Sequence, residues 1–399
     1  MLKETIRHVV QAQREEIARE PVGIRREAAK TIDLSLPHVL TITGVRRCGK
    51  STLLRQLMTR NDAYCNFEDP NLIDFGVRDF ERLEQVFRES HPEFRVCMFD
   101  EIQNVAEWER YVRRSRNKFV ITGSNASLLS RELGTKLTGR HLSIELQPFS
   151  YREMLTFTKR KPGIQSFRDY CREGGFPEYL QYGRTEILQE LFRDILVRDI
   201  AVRHGVRDVH ALQELALYLI SNIGKEYSCN NLARVFAFGS GNTVAAYVAH
   251  MQESYMLLTI PRFAFSLKRQ RRNPRKVYGI DTGFCRANSV AFSEDRGRML
   301  ENVVFLALRR GGGEIFYFKE RGECDFVVRR RGRVESLIQV CFDLREDNLK
   351  REVAGLREAM EATKCGNAAI VTMEQEDDID GIPVTPAWRW TLEREEAST

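Results

Sequence analysis

The chain has 399 residues, a formal net charge of +6, 42% hydrophobic residues and 30% charged residues. This length excludes a protein built on a single small hydrophobic core, and the composition predicts a soluble protein of two or three domains. It contains no run of about 18 apolar residues, so we expect neither a transmembrane helix nor a membrane partner. The nine cysteines are scattered singly, which argues against a cysteine zinc site or a disulfide framework and favours reduced thiols in the cytoplasm.

The first motif lies in HVLTITGVRRCGKSTLLRQLM, where a short apolar strand precedes a loop and a helix. The loop has the spacing Gly-x4-Gly-Lys-Ser in the context that a phosphate-binding (Walker A) loop requires. Its glycines let backbone N–H groups turn towards phosphates, and the helix N-terminus adds a positive dipole end. We expect Lys50 to reach the β and γ phosphates and Ser51 to bind Mg²⁺. The residues predicted to surround the phosphates are Gly44, Val45, Arg46, Arg47, Cys48, Gly49, Lys50, Ser51 and Thr52.

A carboxylate pair follows the next strongly apolar strand, in FRVCMFDEIQ. Asp100 and Glu101 stand at the carboxyl end of this strand, which is the Walker B arrangement. We expect Asp100 to hold Mg²⁺ and Glu101 to act as the general base on the attacking water. The alternative, an aspartate that only caps a helix, is weaker because the phosphate loop precedes it.

Two further polar residues follow in chain order. The strand in KFVITGSNASLLS ends at Ser124 or Asn125, and Asn125 is predicted to sense the γ phosphate or the attacking water. Arg140, before the strand in LTGRHLSIEL, is predicted to be an arginine finger acting on a neighbouring subunit. A solvated or salt-bridged arginine is an equally good interpretation of Arg140.

Residues 150–208 have helical periodicity, interrupted at the Gly-Gly-Phe-Pro of SFRDYCREGGFPEYL. Residues 209–285 predict three helices and two apolar strands, a winged helix-turn-helix. The segment between these strands is rich in cations, which would contact the phosphates of double-stranded or branched DNA. Tight packing between domains is the alternative. The predicted DNA-binding residues are Lys268, Arg269, Arg271, Arg272, Arg275 and Lys276.

Residues 286–399 predict an α/β domain with the layout of a metal-dependent nuclease. Glu301 lies on a helix, Asp325 lies on a strand, and the third strand reads SLIQVCFDL. A working site needs Glu-x-Lys on that strand, whereas Gln339 and Cys341 stand there. Because an amide is a poor ligand for a hard cation and a thiol cannot replace an ammonium, we expect a restriction-endonuclease-like fold without nuclease activity.

The ordered set GVRRCGKST, MFDEIQNVAEWE, ITGSNASLL, LTGRHLSIELQPFSYREML and GGFPEYL resembles the archaeal-type AAA+ ATPases. KVYGIDTGFCRA, GRMLENVVFLAL and GECDFVV are similar to the domain of unknown function that follows this ATPase in the family. The resemblance covers nearly the whole chain. It implies an α/β multidomain protein with a P-loop AAA+ core (1–149), a helical lid (150–208), a winged helix-turn-helix (209–285) and a nuclease-like domain (286–399). It also implies adenine nucleotides, with Arg198 and Arg203 as candidates for a second sensor arginine.

Three functions follow from these motifs. The leading hypothesis is an ATPase that uses ATP and Mg²⁺ and couples nucleotide state to engagement of DNA. The second is a signalling-type nucleotide switch that controls a protein partner through its acidic C-terminal region, without DNA. An active nuclease is the third and weakest. A homo-oligomer is compatible with the first two, because a finger acting in trans requires one.

Overall fold

A computed structural model describes residues 1–19, 21–124, 141–272, 274–290 and 295–397, without the side chains of residues 271, 272 and 397. The chain divides into two compact units, Met1–Leu146 and Gln147–Thr399. The finer division at residues 149, 208 and 285 stays a prediction. The overall class, a mixed α/β multidomain chain with a parallel sheet, is as the sequence predicts.

The first unit is built around a five-stranded sheet, counted within the described residues, of order β2-β3-β4-β1-β5. Every pairing in it is parallel, and its strands are the apolar runs expected of a sheet covered on both faces. The strands are β1 Val39–Thr43, β2 Ala63–Asn66, β3 Val96–Asp100, β4 Lys118–Gly123 and β5 His141–Glu145. The helices are Lys3–Arg19, Lys50–Leu57, Phe80–Ser90 and Trp108–Arg114, with 3₁₀ turns at Glu27–Lys30, Pro70–Leu72, Val77–Asp79 and Ile102–Asn104.

The core of this unit is rich in aromatic rings. Phe67 packs edge-on against Phe80 and Phe99, with ring centroids 5.7 and 5.3 Å apart. The N-terminal helix Lys3–Arg19 adds Ile6 and its apolar neighbours to the same core. These contacts fix the sheet whose carboxyl edge carries the polar motifs, the edge where parallel α/β sheets bind ligands.

The second unit begins with helices and continues as two small sheets. Its helices are Tyr151–Thr158, Ile164–Glu173, Pro177–Tyr182, Thr185–Asp194 (continued as a π-helix, Ile195–Val202), Val209–Ser221, Cys229–Val235, Gly241–Glu253, Leu267–Arg272, Thr282–Asn288, Arg296–Arg310, Glu346–Thr363 and Ala387–Ala397. Its strands are β6 Glu226–Tyr227, β7 Leu257–Pro261, β8 Arg275–Gly279, β9 Glu314–Lys319, β10 Glu323–Arg330, β11 Arg333–Cys341, β12 Ala368–Thr372, β13 Asp377–Ile379 and β14 Ile382–Pro386.

In the described part of this unit, one sheet has the order β6-β8-β7 and the other the order β13-β14-β12-β11-β10-β9. Strands β7 and β8 pair antiparallel, which confirms the two predicted apolar strands. The residues between them are not all loop, because Leu267–Arg272 forms a short helix. In the larger sheet β11 pairs antiparallel with β10 and parallel with β12, which confirms the predicted strand that carries Asp325 and the predicted strand SLIQVCFDL.

Candidate functional site

The loop after β1 has backbone angles that its glycines make possible. Gly44 has φ +152° and Gly49 has φ +99°, and both values lie where a side chain is strained. A Cβ built on Gly44 would lie 2.0 Å from the carbonyl oxygen of Leu146. Gly49 caps the helix Lys50–Leu57. The loop therefore leads directly into a helix N-terminus, the arrangement that binds phosphate groups.

Lys50 is 4% exposed and points back across this loop. Its Nζ donates to the carbonyl oxygens of Gly44 and Val45, both at 3.1 Å. The same nitrogen lies 3.9 Å from Oε1 of Glu101. The structure thus brings the Walker A lysine and the predicted general base together.

Asp100 ends β3 and has no exposed surface. Its Oδ1 accepts a hydrogen bond from the Thr122 hydroxyl, and its Oδ2 accepts one from the Tyr64 hydroxyl at 3.2 Å. Burial raises the pKa of this carboxyl, as does the charge of Glu101, while hydrogen bonds from Thr122 and Ser51 oppose the rise. The two predicted Mg²⁺ ligands, Ser51 and Asp100, are therefore in direct contact.

Glu101 follows at a strained backbone position, with φ +50°. Its N–H donates to the Thr122 hydroxyl at 3.0 Å, so Thr122 contacts both members of the carboxylate pair. Its Oε2 accepts a hydrogen bond from the Gln103 amide. Strain that the surroundings hold in place is common at active sites. Thr122 and Gln103 are contacts that the motif alone did not predict.

Arg26 is a further residue that the sequence analysis missed. It is 3% exposed, and its Nη1 donates to the carbonyl oxygen of Cys48 at 2.7 Å. Its backbone N–H donates to the side chain of Gln56 at 2.9 Å, on the helix after the loop. The thiol of Cys48 lies 3.3 Å from the Leu146 carbonyl, and burial raises its pKa. The phosphate loop is thus supported by residues distant in sequence.

A second cluster of charges lies within the other unit, around Lys276. This residue is 3% exposed, and its Nζ lies 2.7 Å from Glu323, 3.0 Å from Asp325 and 3.2 Å from Glu301. Glu301 also accepts a hydrogen bond from the Tyr278 hydroxyl at 2.6 Å. The assignment of Lys276 to an exposed DNA-binding loop is therefore wrong, because its ammonium group is buried among three carboxylates. The lysine at this site comes from β8, whereas the β11 position of the Glu-x-Lys motif is Cys341, as the sequence shows.

The side chains of Gln339 and Cys341 on β11 are engaged by neighbouring groups of the protein. The Oε1 of Gln339 accepts the Asp325 N–H at 3.3 Å, and its Nε2 donates to Glu352 at 2.6 Å. Both ends of the amide are therefore engaged. The Cys341 thiol donates to the carbonyl oxygen of Asp343 at 3.3 Å. Burial raises the pKa of Cys341, so it stays a neutral thiol.

The remaining basic residues between β7 and β8 are only partly available. Lys268 and Arg269 are exposed. Arg275 is half-buried, and its Nη1 donates to the Thr259 hydroxyl at 3.3 Å. The side chains of Arg271 and Arg272 lie outside the described residues. Two described cations of the predicted set thus face solvent.

Comparison with known proteins gives matches over most of the chain. A family described as "AAA domain" matches residues 37–155, and one described as a domain of unknown function matches residues 164–295. The uncharacterized protein MJ1544 of Methanocaldococcus jannaschii is 32% identical, covering 94% of this chain and 93% of that protein. This chain belongs to the archaeal-type AAA+ ATPase family. An uncharacterized protein of Haemophilus influenzae is 28% identical and covers 89% of this chain and 94% of its own length.

Solved structures are more distant from this AAA+ family member. The ORC2 protein of Aeropyrum pernix, an ADPNP–ADP complex, covers 76% of this chain and 92% of its own at 13% identity and a TM-score of 0.38. The ORC1 protein of Aeropyrum pernix, in complex with DNA, covers 69% and 88% at 13% identity and a TM-score of 0.31. Both TM-scores are below 0.5, so these likenesses establish nothing about the activity of the present ATPase family member.

Several predicted residues of this AAA+ chain remain to be placed. Asn125 and Arg140 lie outside the described residues, whereas Ser124 is buried at the end of β4. Arg198 is 66% exposed and lies 3.5 Å from Asp194, one turn earlier, so its described contact is local. Among the described helices, none has the combination of length and hydropathy that crossing a bilayer requires.

Proposed function

We propose that this chain hydrolyses ATP with Mg²⁺ and couples its nucleotide state to binding of DNA. The observation that supports it best is the meeting of Lys50, Ser51, Asp100 and Glu101 at the carboxyl edge of one parallel sheet. Two features of the loop suit the phosphates of a nucleotide. The glycine loop has no room for a Cβ at Gly44, and the buried Lys50 ammonium is held by neutral carbonyls within reach of a phosphate.

Each group has a role that follows from its contacts. Lys50 would stabilise charge on the β and γ phosphate oxygens, as such lysines do in phosphoryl transfer. Ser51 and Asp100 would hold Mg²⁺, which supplies positive charge between the phosphates. Glu101, kept in place by its backbone bond to Thr122 and its side-chain bond from Gln103, would accept a proton from the attacking water.

Replacement of Glu101 by Gln tests the base directly. The variant should keep its affinity for ATP and lose turnover by about a hundredfold or more, because general base catalysis contributes that much. Glu107→Gln is a matched control: Glu107 also has positive φ, at +59°, but is half exposed and paired with Arg110. Turnover that survives Glu101→Gln would show that Glu101 is not the base.

For DNA binding, we propose that residues 209–285 are a winged helix-turn-helix. The proposal is supported by the sheet β6-β8-β7 and by the helices Val209–Ser221, Cys229–Val235 and Gly241–Glu253. Sequence discrimination would be weak. On the helix Gly241–Glu253, Tyr247 packs on Phe238 and His250 stacks on His204, so neither ring is free to read bases. Contacts would then be mostly to phosphates, from Lys268 and Arg269.

Joint replacement of Arg269, Arg271 and Arg272 by Ala should weaken duplex binding and lower the slope of log affinity against log salt by up to about 3. The matched control is Arg184→Ala, which removes a cation 74% exposed outside the proposed module. Mobility-shift titrations at several salt concentrations measure both quantities. Unchanged affinity and slope would contradict a DNA-binding role for this segment.

Turnover measured with and without duplex DNA separates the leading proposal from a nucleotide switch. Stimulation by DNA that disappears in the triple variant supports coupling. Turnover that is indifferent to DNA favours the alternative, a switch acting on a protein partner.

We also propose that residues 286–399 have a nuclease-like fold without nuclease activity. The Lys276 ammonium lies between three carboxylates where a divalent ion would otherwise be needed to offset their charge. At the β11 position where a nuclease would need a carboxylate stands Gln339, whose amide is engaged with Asp325 and Glu352. Incubation of plasmid and branched DNA with Mg²⁺ or Mn²⁺ should give no cleavage. Cleavage that is lost on Asp325→Ala would contradict the proposal.

A further inference from the structure

Three potential metal ligands meet in the second unit, on elements that contribute no residue to the two sites described above. His204 follows the π-helix Ile195–Val202, while His250 and Glu253 lie three residues apart on the helix Gly241–Glu253. Nε2 of His204 lies 3.5 Å from Oε2 of Glu253, and Nδ1 of His250 lies 3.8 Å from the same oxygen. The three ligand atoms all lie within 4.8 Å of one another.

Within the described residues, Nε2 of His204 and Nδ1 of His250 are buried and have no hydrogen-bond partner. Their distances to Glu253 exceed those of an N–H···O hydrogen bond. Buried polar atoms are almost always satisfied, and leaving one unsatisfied costs about 1–3 kcal/mol. Two such nitrogens facing one carboxylate therefore need an explanation, and a shared cation provides one.

We propose that His204, His250 and Glu253 bind a divalent transition-metal ion of the Zn²⁺ class. Two imidazole nitrogens and one carboxylate oxygen are a donor set that Zn²⁺ accepts, with a fourth position left to water. Ligands about 2.0–2.1 Å from Zn²⁺ in a tetrahedron stand about 3.3 Å apart, and the two imidazole nitrogens lie 3.5 and 3.8 Å from the Glu253 oxygen, close to that spacing. Mg²⁺ and Ca²⁺, which prefer oxygen ligands, are disfavoured.

One rearrangement is required. The two imidazoles stack with centroids 3.7 Å apart and an interplanar angle of 18°. A metal lies near the plane of each imidazole that binds it, so one ring must turn out of the stack. Both side chains keep some exposure, 21% for His204 and 24% for His250, so the ring can turn and the ion can enter from solvent.

The ion would connect segments that the sequence assigns to different domains. His204 belongs to the predicted helical lid, and His250 and Glu253 belong to the predicted winged helix. A bound ion would restrict movement of the segment after the π-helix relative to the helix Gly241–Glu253. This inference does not depend on ATP hydrolysis or on DNA binding.

The test uses the full chain after treatment with a chelator, without nucleotide. Co²⁺ is titrated while its visible d–d absorption is recorded, and Zn²⁺ is then added to displace it. The expected result is one tight Co²⁺ site per chain. Its affinity should fall at least about tenfold in His204→Ala and in His250→Ala, because losing a direct ligand weakens binding more than losing an outer-shell group does. His210→Ala is the matched control, since His210 pairs with Glu214 one turn away but is 83% exposed and has no second histidine.

Glu253→Gln keeps both histidines, so it controls for the possibility that the histidine variants lose affinity because they fail to fold. Zn²⁺ should raise the thermal midpoint of the wild-type chain and of His210→Ala, because an ion that binds only the folded state stabilises it. The rise should be lost in Glu253→Gln. Equal midpoint shifts in all variants, unchanged Co²⁺ affinity in the histidine variants, or a thiolate charge-transfer band indicating cysteine ligands would overturn the proposal.

Discussion

Lys50 in the first unit and Lys276 in the second are both almost fully buried, yet their surroundings are opposite. Lys50 donates to two neutral backbone carbonyls, and its nearest described carboxylate, Glu101, is 3.9 Å away. Lys276 lies within 3.2 Å of three carboxylates. One ammonium is held mainly by dipoles and the other by full charges.

This difference distinguishes Lys50, whose charge can act on a ligand, from Lys276, whose charge stabilises the fold. A carbonyl dipole orients an ammonium without cancelling its charge, so the charge of Lys50 remains effective towards a phosphate. Burial lowers the pKa of Lys276, but Asp325, Tyr278, Glu301 and Glu323 together raise it well above the usual value. Its charge is already used within the protein, and removing it would leave buried carboxylates unpaired.

Lys276→Ala should therefore cause the largest loss of stability. Breaking a buried ion pair from one side costs about 3–5 kcal/mol, because the opposite charge stays buried. Urea unfolding followed by circular dichroism measures this loss. Addition of Asp325→Asn to the variant should restore part of it, by removing one of the uncompensated charges.

The control for this variant is Lys319→Ala. Lys319 lies 3.1 Å from Glu226 and 3.5 Å from Glu323 but is 41% exposed, so its removal should cost at most about 1 kcal/mol. Equal losses for the two lysines would show that the buried cluster does not stabilise the fold in the way described.

Lys50→Ala should have the opposite effects from Lys276→Ala, with a large loss of ATP turnover and a smaller loss of stability. Turnover of ATP should fall by about a hundred- to thousandfold, the effect of removing one group that stabilises transition-state charge. The free energy of unfolding of the free protein should fall by about 1–3 kcal/mol, the cost of leaving buried acceptors without a donor. Steady-state phosphate release and urea unfolding measure the two effects. Lys118→Ala is the matched control, because Lys118 also donates to two backbone carbonyls, of Leu36 and His38, but is the first residue of β4, at the end of the strand opposite the carboxyl edge. Similar turnover in both variants would contradict a role for Lys50 in hydrolysis.

Lys50 and Lys276 show which parts of the two sites could be predicted from the sequence and which could not. Lys50 was predictable because its loop, its strand and its helix are contiguous, so the motif carries its own structural context. Arg26 was not, because its contact with the Cys48 carbonyl joins residues with no shared motif. Sequence spacing likewise gives no sign that His204 and His250 stack.

Lys276 was assigned wrongly for an identifiable reason. A count of cations between two strands treats them as one exposed loop, but Lys276 is already part of β8, opposite Ile260 of β7. Alternation along a strand sends successive side chains to opposite faces. One basic residue of the run therefore points into the fold, and the acidic residues that receive it are 25 to 49 positions away.

A buried carboxylate extends the comparison of the two lysines, with a smaller expected effect. The side chain of Asp281 accepts the N–H of Gly175 at 2.6 Å and that of Phe284 at 2.8 Å, and within the described residues no lysine pairs with it. Burial raises its pKa to about 6, although the backbone hydrogen bonds lower it. Because the folded chain holds this proton more tightly than the unfolded chain, Asp281 contributes stability below pH 3.8 that is lost as the pH rises through about 6.

Asp281→Asn removes this titration and keeps a side-chain oxygen as acceptor. The difference in unfolding free energy between the wild type and Asp281→Asn should fall by up to about 3 kcal/mol between pH 4 and 6 and be constant above that range. Urea unfolding of both proteins across this range measures the difference. A difference that rises with pH would mean that the backbone N–H groups outweigh burial and hold Asp281 ionised. In that case backbone dipoles, together with the charge of Arg310, would stabilise a buried charge in the second unit, much as the carbonyls of Gly44 and Val45 do for Lys50 in the first.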